Sequence, residues 1–223
     1  RLDGGTVRQQ CQRCAGGTRT TGLPNHTDPC RWQRVSSAAP SEDDLTHSLI
    51  LVDNHDQEIG HQSKKACHEG AGLLHRAFSV FLFNADGNLL LQQRSEAKPL
   101  WPLHWSNTCC SHPRRGESVE AAARRRVREE LGVCCDPVYL YKFIYHASFG
   151  SVGSEHEYCW VLAGHYSGEL EIDHNEIANW RCVRPDMLTA EIAANADAFT
   201  PWLKLEWPRV SAEFLGQILP TPA

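Results

Sequence analysis

The feature that most limits how this chain can fold is the run 118–131. Within it Val119, Ala123, Val127 and Leu131 recur every four residues. On an α-helix that spacing makes one apolar stripe and leaves the arginines and glutamates to water. Glu117 suits the helix start and Gly132 its end. The stripe must be covered, and the apolar runs around it read as strands: 48–52, 74–83, 89–94, 138–147, 156–166 and 177–183. Asp53 to Asp56 reads as a turn, and Asn84-Ala85-Asp86-Gly87 predicts a hairpin between the second and third runs. Pro185 opens a short helix to about Ala194, and 200–219 reads as helical with Pro208 kinking or splitting it. The fold class is therefore α/β (α+β), a mixed β-sheet sandwiched by helices.

Residues 1–42 are different. Up to residue 40 six arginines face only Asp3 and Asp28, and no apolar period is visible, so the segment 1–42 reads as a disordered Arg/Gly/Thr-rich tail. Residues 43–223 then form one domain. Cys11, Cys14, Cys30 and His26 could bind zinc, but their second pair lacks zinc-finger spacing, so a flexible tail with incidental thiols is the preferred reading. A net charge of −5 argues against nucleic acid as a partner. No apolar run approaches the roughly 20 residues of a membrane span. The ten cysteines include the vicinal pairs Cys109-Cys110 and Cys134-Cys135 and lie mostly in apolar runs, which suggests free thiols in the cytoplasm. Nothing asks for an oligomer, so a monomer is expected.

Chemistry-bearing residues cluster around 105–113. On a strand, Cys110 and His112 share a face and Cys109 points the other way, where it reads as a buried inert thiol. Cys110 could itself be inert, or a neighbouring cation could lower its pKa and make it reactive. His68 and His75 lie seven apart, with a loop between them, and Glu155 and Glu157 alternate on one strand. With His112 they make a plausible five- or six-coordinate site for Mn²⁺, Mg²⁺ or Zn²⁺. Singly, His75 could be a core histidine, His68 a loop residue, and the two glutamates a solvated face. Glu117 with the helix carboxylates Glu129 and Glu130 could hold Mg²⁺ on a diphosphate. Lys64, Arg94, Lys98 and Arg126 could supply charge for its oxygens.

Several separated motifs then agree in order and spacing: His68, Leu74-His75-Arg76-Ala77-Phe78-Ser79, Leu90-Leu91-Gln92-Gln93-Arg94-Ser95, Asn107-Thr108-Cys109-Cys110-Ser111-His112-Pro113 and Glu155-His156-Glu157. From about Leu49 to Leu219 the chain resembles type I isopentenyl diphosphate isomerases, which have the Nudix fold. The Nudix helix pattern is degenerate. Ser111 stands at its first Gly, Glu117 at its first Glu, Arg125 at its Arg, and Arg126 replaces the Glu that follows. Arg114-Arg115 stand where the family often has an apolar residue, which bears on loop packing. The resemblance implies interconversion of isopentenyl diphosphate and dimethylallyl diphosphate, by protonation at C4 and deprotonation at C2. It implies Cys110, Glu157 and Tyr145 as catalytic residues. It implies Lys64, Arg94, Lys98 and Arg126 as diphosphate contacts, and Trp202 as the aromatic ring over the cation. His68, His75, His112, Glu155 and Glu157 would be metal ligands for Mn²⁺, Zn²⁺ or Mg²⁺. Glu130 would sit on the Mg²⁺ that accompanies the substrate. The alternatives are a Nudix hydrolase of a nucleoside or prenyl diphosphate, and a non-catalytic module built on the tail cysteines.

Overall fold

The computed structural model describes residues 48–219. The expected tail and its cysteine set lie outside the described residues. In chain order the strands are β1 (Ser48–Val52), β2 (Glu58–Ser63), β3 (His75–Phe83), β4 (Leu89–Arg94), β5 (Trp105–Ser106), β6 (Cys109–Ser111), β7 (Cys134–Cys135), β8 (Val138–Phe149), β9 (Gly153–Ser167) and β10 (Ile177–Val183). The helices are α1 (Lys64–His68), α2 (Val119–Leu131), α3 (Pro185–Ala194), α4 (Pro201–Arg209) and α5 (Leu215–Ile218). The expected mixed sheet with helices is present.

The sheet is organised on β3. One edge pairs in parallel with β9, from His75↔Glu157 to Phe83↔His165. The other edge is shared by three partners: β1 at His75, β6 at Phe78 to Val80, and β4 at Phe83. This corrects the expected Asp-Gly hairpin. The turn is there, with Asn84 Oδ1 accepting from the Asp86 and Asn88 amides, but β3 and β4 pair only at Phe83↔Leu89. Segment 105–111 wedges them apart, because β5 takes the free edge of β4 and β6 that of β3. Between them the buried Thr108 hydroxyl accepts from Leu82 N at 2.9 Å and donates to Leu90 O at 2.6 Å. Asn107 Nδ2 donates to Val80 O at 3.2 Å. These side chains satisfy backbone groups that the split would otherwise strand.

Strand alternation then makes two cores. Phe78, Val80, Leu82 and Cys109 pack against Val119, Ala122, Ala123, Val127 and Leu131 of α2. Phe81, Phe83, Leu91 and Val161 pack against Leu188, Leu203, Trp207 and Val210 from the C-terminal helices. Each fully buried Leu or Val here contributes about 1.5–3 kcal/mol. Helix α2 runs as its stripe predicted. The Ser118 hydroxyl caps it by accepting from Ala121 N, and Gly132 ends it in the left-handed region at φ 71°. Pro208 lies inside α4, and the backbone beyond it loosens into a π-turn over Val210–Phe214. Strands β8 and β9 run further towards each other than expected, leaving a turn at 150–152. His68 is not in a loop. It ends α1, a helix too short to show a period, capped by Ser63.

Candidate active site

Register brings the site together. His75 on β3, Glu157 on β9 and Tyr145 on β8 are successive cross-strand partners, so they form one row across three strands. Cys110 pairs with Ser79 on the far edge of β3. Helix α1 adds Lys64 and His68, the 95–104 loop adds Lys98 and Leu100, and the start of α4 adds Trp202. With Cys110, Tyr145, Glu157, Arg94, His112 and Glu155 these line one cavity of about 340 Å³, whereas His75 is fully buried behind its lining.

The cavity floor holds the His/Glu cluster. Nitrogen and oxygen donors of His68, His75, His112 and Glu157 all lie within 4.8 Å of one another. His75 Nε2 is 3.2 Å from His112 Nε2, and His112 Nε2 is 3.3 Å from Glu157 Oε1. His68 Nε2 is 2.9 Å from Glu155 Oε2. His68 Nδ1 meets Lys64 O at 2.6 Å and His75 Nδ1 meets Leu73 O at 2.7 Å. A carbonyl only accepts, so each of these Nδ1 atoms carries a proton; His75 Nε2 then turns a lone pair inward, whereas His68 Nε2 faces the Glu155 carboxylate. Burial pushes His75 down to about 4 and His112 well below the usual imidazole range. Burial lowers His68, but the hydrogen bond to Glu155, that residue's charge and the Lys64 carbonyl together outweigh burial and leave it raised. Burial and the nearby Glu155 push Glu157 well up. Glu155 and Glu157 are both buried, which excludes a solvated face. Imidazoles and carboxylates converging at this range fit a divalent cation.

Cys110 stands beside this cluster. Its thiol donates to Asn107 Oδ1 at 2.8 Å. Burial pushes the thiol up to about 12, and the charged groups that act on it, Glu206 and Glu157, push the same way. Cys109 is fully buried on the α2 side, as expected. The Tyr145 hydroxyl donates to Glu157 Oε2 at 2.7 Å.

Arg94 lines the cavity and also braces its wall. Its guanidinium donates to Leu100 O and Trp101 O, and it lies 5.1 Å from the Trp202 ring centroid. The braced loop carries Trp101 and Leu103 at φ 46° and 59°, a strained region for such side chains. Trp202 Nε1 donates to Ser106 Oγ at 2.9 Å.

The NUDIX domain family matches residues 73–203. The isopentenyl-diphosphate Delta-isomerase of Nocardia farcinica is 46% identical, over 69% of this chain and 88% of that one. Isopentenyl-diphosphate Delta-isomerase 2 of Aromatoleum aromaticum is 41% identical over 71% and 84%. Isopentenyl-diphosphate Delta-isomerase 1 of Bos taurus is 40% identical over 72% and 81%. This chain belongs to the isopentenyl-diphosphate Delta-isomerase family. A crystal structure of a Deinococcus radiodurans protein has the same fold at 26% identity, with a TM-score of 0.57 over 73% of this chain and 98% of that one.

In this family member the Nudix helix has its carboxylates tied up. Arg125 holds Glu117 at 2.8 Å, and Arg126 holds Glu129 at 2.8 Å and Glu130 at 2.6 Å. Glu130 is buried on α2 and is not part of the His/Glu cluster. Arg126 does not line the cavity, but reaches Glu176 at 2.9 Å, and Lys98 pairs with the same carboxylate. Sequence reasoning missed Glu176, which sits in a polar loop with no pattern around it. It also missed Asn107 as the partner of Cys110, although Asn107 lies within the quoted motif. Glu206 was missed as well. It falls midway between Trp202 and Val210 at four-residue spacing, and that stripe could have flagged it as buried.

Proposed function

We propose that this protein interconverts isopentenyl diphosphate and dimethylallyl diphosphate. The observation that carries the reading is that Cys110 and the Tyr145–Glu157 pair line one cavity from opposite edges of β3. A 1,3-proton shift across an unactivated alkene needs an acid at one carbon and a base at another, in a pocket that excludes water. Glu157, with Tyr145 donating to it, works at C4. Cys110 works at C2. Burial keeps Tyr145 protonated, with its pKa well above the ordinary value, so it stays a donor. Trp202 presents its ring to the tertiary cation at C3, an interaction worth about 0.5–2 kcal/mol. Lys64, Lys98 and Arg94, which line the cavity, take the diphosphate, and Arg126 would join them on leaving its carboxylate partners.

A divalent ion (Mn²⁺, Zn²⁺ or Mg²⁺) would be held by His68, His75, His112, Glu155 and Glu157, and would supply positive charge that fixes Glu157 and tunes its acidity. Mg²⁺ would accompany the diphosphate, with Glu130 as its protein partner once Arg126 turns to phosphate. Hydrolysis fits less well, because Glu117, Glu129 and Glu130 are each engaged by an arginine of the same helix. No described helix is long and apolar enough to cross a membrane. The working assignment is a cytoplasmic monomer with residues 43–223 as the catalytic domain.

Incubation with isopentenyl diphosphate and Mg²⁺ tests this. The allylic isomer should appear with the diphosphate intact. Phosphate release without isomer would instead indicate a hydrolase.

A further inference from the structure

Among the described residues that line the cavity, Pro99 and Leu100 carry the uncharged aliphatic side chains, and the reaction above uses neither. Pro99 is exposed, whereas Leu100 is buried. Leu100 belongs to the apolar cluster that contains Trp202 and Tyr145 and against which Cys110 packs. Those three residues are the ones the proposed reaction sets around the alkene. Leu100 is therefore the aliphatic wall that the branched end of the substrate meets, two residues along the same loop from Lys98, which takes the diphosphate.

That wall stands on a fixed backbone. Arg94 Nη2 donates to Leu100 O at 2.9 Å, and Arg94 Nε donates to Trp101 O at 3.0 Å. Lys98 N donates to Ser95 O and Leu103 N to Arg94 O, each at 3.1 Å, so the loop is closed on itself. The left-handed Trp101 and Leu103 belong to it, and strain of that kind persists only where the surroundings determine the backbone. Trp101 is buried next to Leu100, with its ring 5.4 Å from that of Trp202 and 5.2 Å from that of Phe149. On β9, Gly153 approaches so closely that a Cβ there would lie 3.4 Å from Leu100 Cδ2. A side chain held in this way has no empty space to withdraw into, and close-packed walls respond to a single added methylene.

Resting on the isomerase reading, we propose that Leu100 determines specificity by limiting the size of the alkyl group at C3 of the substrate. The methyl branch of isopentenyl diphosphate fits beside Leu100. An ethyl branch has to push Leu100 towards Gly153, and the braced loop resists that movement. The ligand class is a diphosphate of a short, methyl-branched chain.

The test is a calorimetric titration of the full chain in the presence of Mg²⁺. Its two probes are saturated and cannot isomerise: isopentyl diphosphate, and the homologue with an ethyl group in place of one methyl. Wild type should bind isopentyl diphosphate about ten-fold more tightly, the discrimination expected for one methylene in a rigid apolar pocket. Leu100→Ala should bring the two Kd values to within about two-fold or reverse their order, and Leu100→Val should fall between. A folded Leu100→Ala protein that keeps the wild-type preference overturns the role. If that variant does not fold, Leu100→Val decides, and an unchanged preference there overturns it too. A wild type that binds both probes equally, or neither, also overturns it. Isomer formation from isopentenyl diphosphate is scored separately. The expected binding preferences without any allylic isomer overturn the proposed function and leave the size limit standing. A competent isomerase whose preference does not respond to Leu100→Ala overturns the size limit alone.

Discussion

Tyr145 and Glu157 face each other directly across β8 and β9, and the phenol donates to Glu157 Oε2 at 2.7 Å. The bond fixes the carboxyl rotamer and keeps a proton within reach of its outer oxygen. Tyr145→Phe removes that proton and nothing else of consequence for shape. It should lower kcat for isopentenyl diphosphate by about 10²-fold and leave KM little changed. Steady-state kinetics check this, and an unaltered kcat would remove Tyr145 from the chemistry.

The two vicinal cysteines should separate cleanly. Cys110→Ala should cost about 10³-fold or more in turnover, since a base is lost and not merely weakened. Cys109→Ala should keep its turnover and lose about 1–2 kcal/mol of stability, because it leaves a small void under α2. Kinetics and urea unfolding of both variants give the four values needed.

Metal content should follow the cluster. Elemental analysis of purified His68→Ala should show a clear loss of bound divalent ion relative to wild type. Chelation of the wild type should lower its thermal midpoint, because an ion at 100 times its Kd adds about 2.7 kcal/mol to the folded state. Equal metal content in the two proteins would count against His68 as a ligand.

Glu176 should shape acid stability. Burial raises its pKa, but Lys98 and Arg126 outweigh burial and hold it down at about 2. A lowered folded-state pKa adds stability above the unfolded value of about 4.3, and that stability fades as pH falls towards the folded value. Glu176→Gln should therefore be less stable than wild type near neutral pH, with the gap closing as pH drops below about 4. Urea titrations across this range measure it, and a gap that does not depend on pH would refute the assignment.

Much of this was legible in the sequence because it was local. The α2 stripe, β10 and α3 came from spacing and punctuation within single segments. β2 and α1 did not, because Glu58–Ser63 is mostly polar and α1 is little more than one turn. The sharing of the β3 edge could not be read either. Asp86-Gly87 reports a turn, whereas the competitor that separates the strands lies about 20 residues further on. The ligand set was legible as residue types. Its convergence depends on the parallel register that puts His75 opposite Glu157, a non-local choice that no spacing encodes. Glu176 and Glu206 matter through what surrounds them, and one chain position does not reveal that.

The vicinal pair on β6 has a consequence for evolution. Strand parity alone decides which sulfur meets the substrate and which fills the space beneath α2. Inserting or deleting a single residue just before Cys109 would exchange the two, leaving composition almost unchanged and a thiol still facing the cavity. That thiol would follow a shifted Asn107, and His112 would turn away from the cluster. Substitutions in this segment should therefore be tolerated far better than changes in its length.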